Sequence, residues 1–589
     1  MGQVPTGKPS ELTLGYMPET LIPAQLVKLR QQQTAPLILE LDLTDGIAES
    51  RPADPVSAVL ARNRVVLTDV LDTLRRARQD NRVKALVARV GGRNIGLAGV
   101  QELRRAVLDL AEAGKATIAW AESFGEFSPG NVPYYLATAF DTIWLQPSGD
   151  LGLTGIAVER LYLRGALDKV GAQMQVAKRQ EYKSAAEQLT EQGFSPSARE
   201  ATERLTESVT EQLAQAIAER RQLTEDKVRS LIDSGPFLAE QAQAHGLIDH
   251  LGYRDEVYAA VRKQAGPDAI LQYLGRYQRG KVLAERARKV ARLAPRHEPV
   301  VALIYATGPI RRGRSSRSPL GGSSMGSDTI AAAIRAAVRD QRARAIVLRV
   351  NSPGGSYVAS DTIWREVVRA RASGTPVVVS MGDVAASGGY YISMAADVIV
   401  GQPGTVTGSI GVLSGKPVIG EALGRAGVTS DLVAQAAHAA MFSQQRPFSE
   451  DEWALVNRWL DHVYADFTGK VAAARGMTQP QVHEVARGRV WTGADAAERG
   501  LIDELGGLER ATAIARSRAD LPPTAPLRVY PHQSPLDRLR PTASSEARGA
   551  AAPAPAMLAD AWGPVWRIAA RAGLYAHGPL MLPGSWTFA

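Results

Sequence analysis

The sequence has no cysteine among its 589 residues. That excludes a thiol nucleophile, a disulfide framework and any thiolate metal site, and it leaves the redox compartment open. Histidine is scarce, at eight residues. His297-Glu298 and His483-Glu484 both lack the second histidine that a His-Glu-x-x-His zinc site needs. A Gly-x-x-x-x-Gly-Lys-Ser/Thr phosphate loop is missing too. Neither a metal nor a cofactor is therefore expected. No apolar run reaches the roughly 18 residues of a membrane-crossing helix. Met1 to Leu14 is polar and turn-rich, without the apolar core of a secretory signal.

What is there is a composition of globular type, 45% apolar and 22% charged, in a chain long enough for several cores. The net charge is +9. A basic surface can meet anionic lipid, nucleic acid or acidic peptides. No nucleic-acid signature accompanies the charge, so a nucleic-acid partner is not expected.

Residues 37–43 alternate like a strand, 64–79 carry apolar positions at helical spacing, and Val83–Val90 is a second strand. A helix over 99–113 and a strand over Ala116–Trp120 follow. Strands alternating with helices imply parallel β-α units. The order then returns. Asp340 to Val350 (DQRARAIVLRV) answers Asp80 to Val90 (DNRVKALVARV) at an offset of 260. Tyr390 to Asp397 answers Tyr134 to Asp141, Gln402-Pro403 answers Gln146-Pro147, and Gly408 answers Gly152, all at 256. Phe448-Ser449 answers Phe194-Ser195, and Gly500 to Asp503 answers Gly246 to Asp249, at 254. A slowly drifting offset with conserved order marks an internal duplication. The expected divisions are an N-terminal segment 1–35, a first half 36–274, a basic linker 275–298, a second half 299–530 and a tail 531–589. Residues 311–327 read as a flexible loop, 541–555 as a linker and 557–572 as an amphipathic helix.

Differences between the halves point to chemistry. Ser387 lies where an apolar strand, Pro376 to Val379, gives way to a helix, among small neighbours (Ala385-Ala-Ser-Gly-Gly389). Such a turn can present a hydroxyl beside free backbone N–H groups; the blander reading is a tight turn under a closely packed helix. The first half has Asn131 at that position, and Leu153 where the second has Ser409. Only the second half keeps the turn Asn351-Ser-Pro-Gly-Gly355 after its strand. Conversely, Lys183 has no counterpart lysine, although His438 falls near its repeat position. No Gly-x-Ser-x-Gly elbow surrounds Ser387, since Ala385 fills the first glycine position.

These pieces together resemble the long, duplicated form of the signal peptide peptidase A (protease IV) family. They are Asn351 to Gly355, Gly382 to Tyr390 (GDVAASGGY), Thr407 to Val412 (TGSIGV), Glu181 to Ser184 (EYKS), Val490 to Gly493 and Gly500 to Asp503. The resemblance spans roughly residues 36–530. It implies a tandem duplication of a ClpP/crotonase-like α/β fold, with a Ser/Lys dyad split between the halves. On this footing Ser387 is the expected nucleophile and Lys183 the general base, with Ser409 orienting the lysine. Gly355 and Gly388 are the candidate oxyanion donors. The implied activity is serine endopeptidase hydrolysis of small peptides such as released signal peptides, in a homo-oligomer such as a tetramer. Membrane association is implied as well, through a peripheral contact since no span is visible; the alternative is a cytoplasmic protein. Two rival readings are a crotonase-type acyl-CoA enzyme and a non-catalytic membrane-linked scaffold. A Ser-His-Asp triad would draw on His438.

Overall fold

The computed structural model describes residues 34–49, 65–91, 95–291, 298–318, 322–531 and 580–581. Each half is built on a parallel sheet. In the first the strand order is His250–Leu251, Thr142–Leu145, Ala116–Ala121, Val83–Arg89, Leu37–Asp42, Ile270–Tyr273. The second repeats it as Glu504–Leu505, Val398–Gly401, Val377–Ala386, Ala343–Ser352, Val300–Thr307, Leu527–Val529. Strand residues alternate faces, so a sheet covered on both sides needs apolar residues at successive positions. Leu37, Leu39 and Leu41 face helices Leu67–Gln79 and Leu97–Glu112, while Ile38 joins Val257 and Val261 on the other side. In the second half Val300, Ala302 and Ile304 face one way, and Val301 and Leu303 meet Leu508 and Ala511. The duplication read from the sequence is thus one of architecture.

Two 26-residue helices, Pro196–Arg221 and Glu450–Arg475, leave the sheets at matching places. Ser195 and Ser449 cap them, each accepting a backbone N–H three residues on, which satisfies an otherwise unpaired first-turn donor. The halves also share a two-stranded antiparallel arm. Gln173–Lys178 of the first pairs with Leu413–Val418 of the second, from Leu413 with Lys178 to Val418 with Gln173.

Three expectations need adjustment. The glycine- and serine-rich stretch 311–327 contains an antiparallel strand pair, Ser316–Ser318 with Gly322–Gly326, the latter also beside Ile310–Arg311. Pairing to a buried neighbour overrides a composition that alone favours a loop. The basic stretch 275–298 begins inside helix Leu274–Ala291, whose Leu274 and Tyr277 belong to the first-half core. The helix expected at 64–79 starts at Leu67, preceded by the short strand Val65–Val66. The linker 541–555 and the helix 557–572 lie outside the described residues. Among the described residues, no helix is long and apolar enough to cross a membrane.

Candidate active site

Ser387 follows the last residue of strand Val377–Ala386 and precedes helix Gly388–Ser393. Its backbone sits at φ 56°, ψ −113°. A non-glycine residue pays of order 1–3 kcal/mol for such a conformation, so neighbours must enforce it. Ser387 N–H donates to the Gly408 carbonyl at 2.8 Å, and the Ser387 carbonyl accepts Tyr391 N–H at 2.9 Å. Gly389 is needed next door, because a β-carbon there would stand 2.5 Å from the Ser352 carbonyl. The serine is fully buried.

Lys183 reaches this place from the first half. Its segment leaves the shared arm and is stitched to the second half by Arg179 N–H to the Val412 carbonyl (2.8 Å) and Tyr182 N–H to the Arg487 carbonyl (3.2 Å). Gly488, at φ 81°, lets the Lys183 backbone come close, since a β-carbon on it would lie 2.6 Å from the Lys183 nitrogen. Lys183 Nζ is 2.8 Å from Ser387 Oγ, 3.0 Å from the Ser409 carbonyl and 3.0 Å from Ser409 Oγ. Burial of the ammonium pushes the lysine well below its ordinary value. An amine held neutral has one lone pair and two N–H groups. The lone pair can take the Ser387 proton while the N–H groups donate to the two oxygens of Ser409. Ser409 is itself buried at φ 51°, its N–H bonded to the Arg489 carbonyl at 2.6 Å.

Gly355 and Gly388 are adjacent in space. A β-carbon on Gly388 would lie 3.0 Å from the Gly355 nitrogen and 2.8 Å from Ser360 Oγ. Gly354 and Gly355 have φ of 100° and 153°, values that L side chains rarely adopt. The structure thus brings together Ser387, Lys183, Ser409, Gly355 and Gly388. His438 is not among them: its side chain is exposed, and the hydroxyl of buried Ser387 bonds Lys183 instead. Among the described residues, the first half keeps no such site. Asn131 there donates to the Gly155 carbonyl and accepts Thr154 N–H and Gly155 N–H, which brackets the loop 154–155.

Sequence reasoning missed Gly488 and Asp383. Gly488 had a signal, since the repeat puts Ser234 at its counterpart position. Asp383, four residues before Ser387, accepts Gly99 N–H at 3.1 Å at the start of first-half helix Leu97–Glu112. Gly96 leaves the room it needs, since a β-carbon there would overlap the carboxylate. Beside it the buried Arg349 meets Glu49 at 2.5 Å and Glu102 at 2.6 Å, and donates to Ser380 Oγ. Nothing in the local sequence announces contacts between residues some 250 to 300 positions apart.

The model of peptidase family S49 matches residues 110–267 and again 369–522. The chain is 34% identical over 470 residues to Protease 4 of Salmonella typhi, covering 77% of this chain and 72% of that one. It is 31% identical over 448 residues to the chloroplastic serine protease SPPA of Arabidopsis thaliana, covering 76% of this chain and 65% of that protein. Protease 4 of Haemophilus influenzae is 31% identical over 453 residues, with 75% and 71% covered. Among solved structures, a ClpP1 mutant from Listeria monocytogenes matches 36% of this chain and 94% of its own at 15% identity and a TM-score of 0.23. A membrane-bound stomatin-specific protease, 1510-N, matches 40% and 99% at 16% identity and 0.24. With the family model matched once in each half, the chain belongs to peptidase family S49, in the duplicated form that carries the family's α/β unit twice.

Proposed function

We propose that the protein is a serine endopeptidase in which Ser387 is the nucleophile and Lys183 the general base. The observation that carries this reading is the 2.8 Å contact between a fully buried lysine nitrogen and a fully buried serine oxygen contributed by different halves. Neutral Lys183 takes the Ser387 proton as Oγ attacks the peptide carbonyl. The N–H groups of Gly355 and Gly388 receive the developing oxyanion, each such donor being worth about 3–4 kcal/mol. The protonated lysine returns its proton to the departing amine. Water, activated by the same lysine, then releases the acyl group. Ser409 holds the amine in line through its carbonyl and hydroxyl.

Substrates are extended peptides of the released-signal-peptide kind, a choice that rests on family membership. A crotonase-type acyl transfer and a scaffold role gain no observation here. Membrane association is proposed as a peripheral contact through the basic stretch 275–298. The assembly is proposed to be a homo-oligomer, supported by the repeat counterparts of the shared arm, 429–434 and 157–162, neither of which forms a strand in the chain.

The test is hydrolysis of an unfolded peptide between pH 6 and 10 by wild type, Ser387→Ala and Lys183→Ala. Both variants should lose at least about 10³-fold in kcat, the scale of a broken catalytic unit. A neutral base is needed, and its fraction grows as pH rises through the lysine's lowered pKa. Wild-type activity should therefore climb with pH and level off well before the ordinary lysine value of 10.5. Near-normal activity in Lys183→Ala beside a dead Ser387→Ala would remove the lysine from its role.

A further inference from the structure

Arg487-Gly488-Arg489 crosses the Lys183 segment and touches the site at each step. The Arg487 carbonyl accepts Tyr182 N–H, and Gly488 lies against the Lys183 backbone while its N–H donates to the Ile410 carbonyl at 2.8 Å. The Arg489 carbonyl accepts Ser409 N–H. One short strap thus holds the neighbour of the lysine on one side and the residue bonded to its amine on the other. Arg487 at φ 52° and Gly488 at φ 81° both lie in the left-handed region. A bulky residue such as Arg487 stays there only where its surroundings impose it.

The two arginine side chains supply that constraint. Both guanidinium groups stand over the Tyr182 ring, Arg487 at 5.3 Å and Arg489 at 5.0 Å from its centre. Such cation–ring attraction strengthens as water is excluded. Arg487 also pairs with Glu181 at 3.2 Å, and Arg489 with Glu200 of helix Pro196–Arg221 at 2.6 Å. Arg489 stacks in addition on Trp491, 4.2 Å from the ring centre, and the indole N–H of Trp491 donates to the Val485 carbonyl at 2.8 Å. Second-half arginines therefore grip first-half residues on either side of Lys183.

We propose that Arg487 and Arg489 are positioning residues, which clamp the strap onto Glu181, Tyr182 and Glu200 and so seal Lys183 from water in line with Ser387 and Ser409. This rests on the peptidase reading and adds control of its base. The charged and titratable groups around Lys183 are Glu181 and Tyr182 on its own segment, Arg487 and Arg489 on the strap, Glu200 on helix Pro196–Arg221 and Tyr464 on helix Glu450–Arg475. The amine itself bonds Ser387 and Ser409, and burial is what lowers it. A loosened strap admits water and lets the lysine return toward its ordinary 10.5.

The experiment measures kcat and KM of wild type, Arg487→Met, Arg489→Met and Arg489→Lys on a fluorogenic unstructured peptide from pH 6 to 10. A rise of about one unit cuts the neutral fraction about tenfold at any pH below the lysine's own value. Arg489→Met should therefore lose about tenfold in kcat on the rising limb of the wild-type profile, keep KM within about twofold, and recover toward pH 10. Arg487→Met should shift the profile the same way, and Arg489→Lys, which keeps a cation over Tyr182, should restore part of the shift. A second arm needs no catalysis. Wild type should gain melting temperature between pH 6 and 9.5 as its unfolded chain releases the lysine's proton, and Arg489→Met should gain less. In a Lys183→Met background the same substitution should leave that gain alone. An unmoved pH profile in both methionine variants, or equal gains in melting temperature with and without Arg489, overturns the inference. If wild type cleaves nothing, the peptidase reading fails on its own and the melting arm decides whether the strap keeps the lysine neutral. If Arg489→Met misfolds, Arg487→Met and Arg489→Lys carry both arms.

Discussion

Lys183 is where function and stability pull apart. A lysine driven well below 10.5 by burial releases its proton on folding. The unfolded chain then binds more protons than the folded one between the two pKa values, so stability rises with pH through that window. Below it the full cost of burying the amine is present; above 10.5 that cost is gone. Lys183→Met, which fills the space without a charge to desolvate, should raise the melting temperature near pH 7 while abolishing activity. Its advantage should shrink as pH approaches 10.5, and thermal melts at pH 7, 9 and 10.5 would measure this. A gain independent of pH would mean that the lysine is not held neutral by burial. The sequence shows Lys183 only as a lysine among polar neighbours (Arg179-Gln-Glu-Tyr-Lys-Ser184), so periodicity could not bury it. What buries it is Gly488, Gly411 and Ser409, more than 200 positions away. The resemblance to a family, together with the repeat, singled out what local pattern could not. Ser387 was more legible, since a strand, small residues and a helix adjoin it directly in sequence.

Helix Leu97–Glu112 and strand Val377–Ala386 form the joint that sets one half against the other. Asp383 receives the helix's first-turn N–H, and Arg349 stands between Glu49 and Glu102. Burial raises both Asp383 and Glu102 above ordinary carboxylate values. An aspartate raised on folding favours its protonated form, so its contribution is full below the unfolded pKa and falls as pH rises. Asp383→Asn keeps an acceptor for Gly99 N–H without the charge. It should match or exceed wild-type stability at pH 8, with the difference closing toward pH 4. Arg349→Met leaves buried carboxyls without their cation and should cost about 3–5 kcal/mol. Urea unfolding of the two variants at pH 4 and 8 separates them; equal losses in both would deny the joint its electrostatic character. The joint was illegible in sequence because its charges sit in different halves, and single charges on apolar elements look like solvated positions. The hairpin within 311–327 was missed for a related reason, as glycine and serine become strand only when a neighbour supplies the bonds.

The whole molecule has an interface inside it that its own repeat leaves half used. In the chain, strand Gln173–Lys178 of the first half pairs with Leu413–Val418 of the second. At the repeat offset of 256 their counterparts are 429–434 and 157–162, and neither forms a strand in the chain. Large apolar side chains are exposed at just such counterpart positions. Val433, 85% exposed, corresponds to Ala177, which packs against the second-half core. At the offset of 254 that holds beyond residue 194, Trp459, 41% exposed, corresponds to Leu205, 1% exposed beneath the second half. Leu238, 62% exposed, corresponds to the buried Thr492. A second copy that repeats the internal contact would cover all three, setting Val158 of one copy opposite Val433 of the next. Such a contact is head-to-tail, and it closes into a ring when its rotation permits. Sedimentation equilibrium should find wild type as a closed oligomer, and Leu432→Asp with Val433→Asp as a monomer whose Lys183–Ser387 pair, formed within one chain, is intact. Wild type sedimenting as a monomer, or the double variant keeping the wild-type mass, would show that the exposed face serves something other than a second copy.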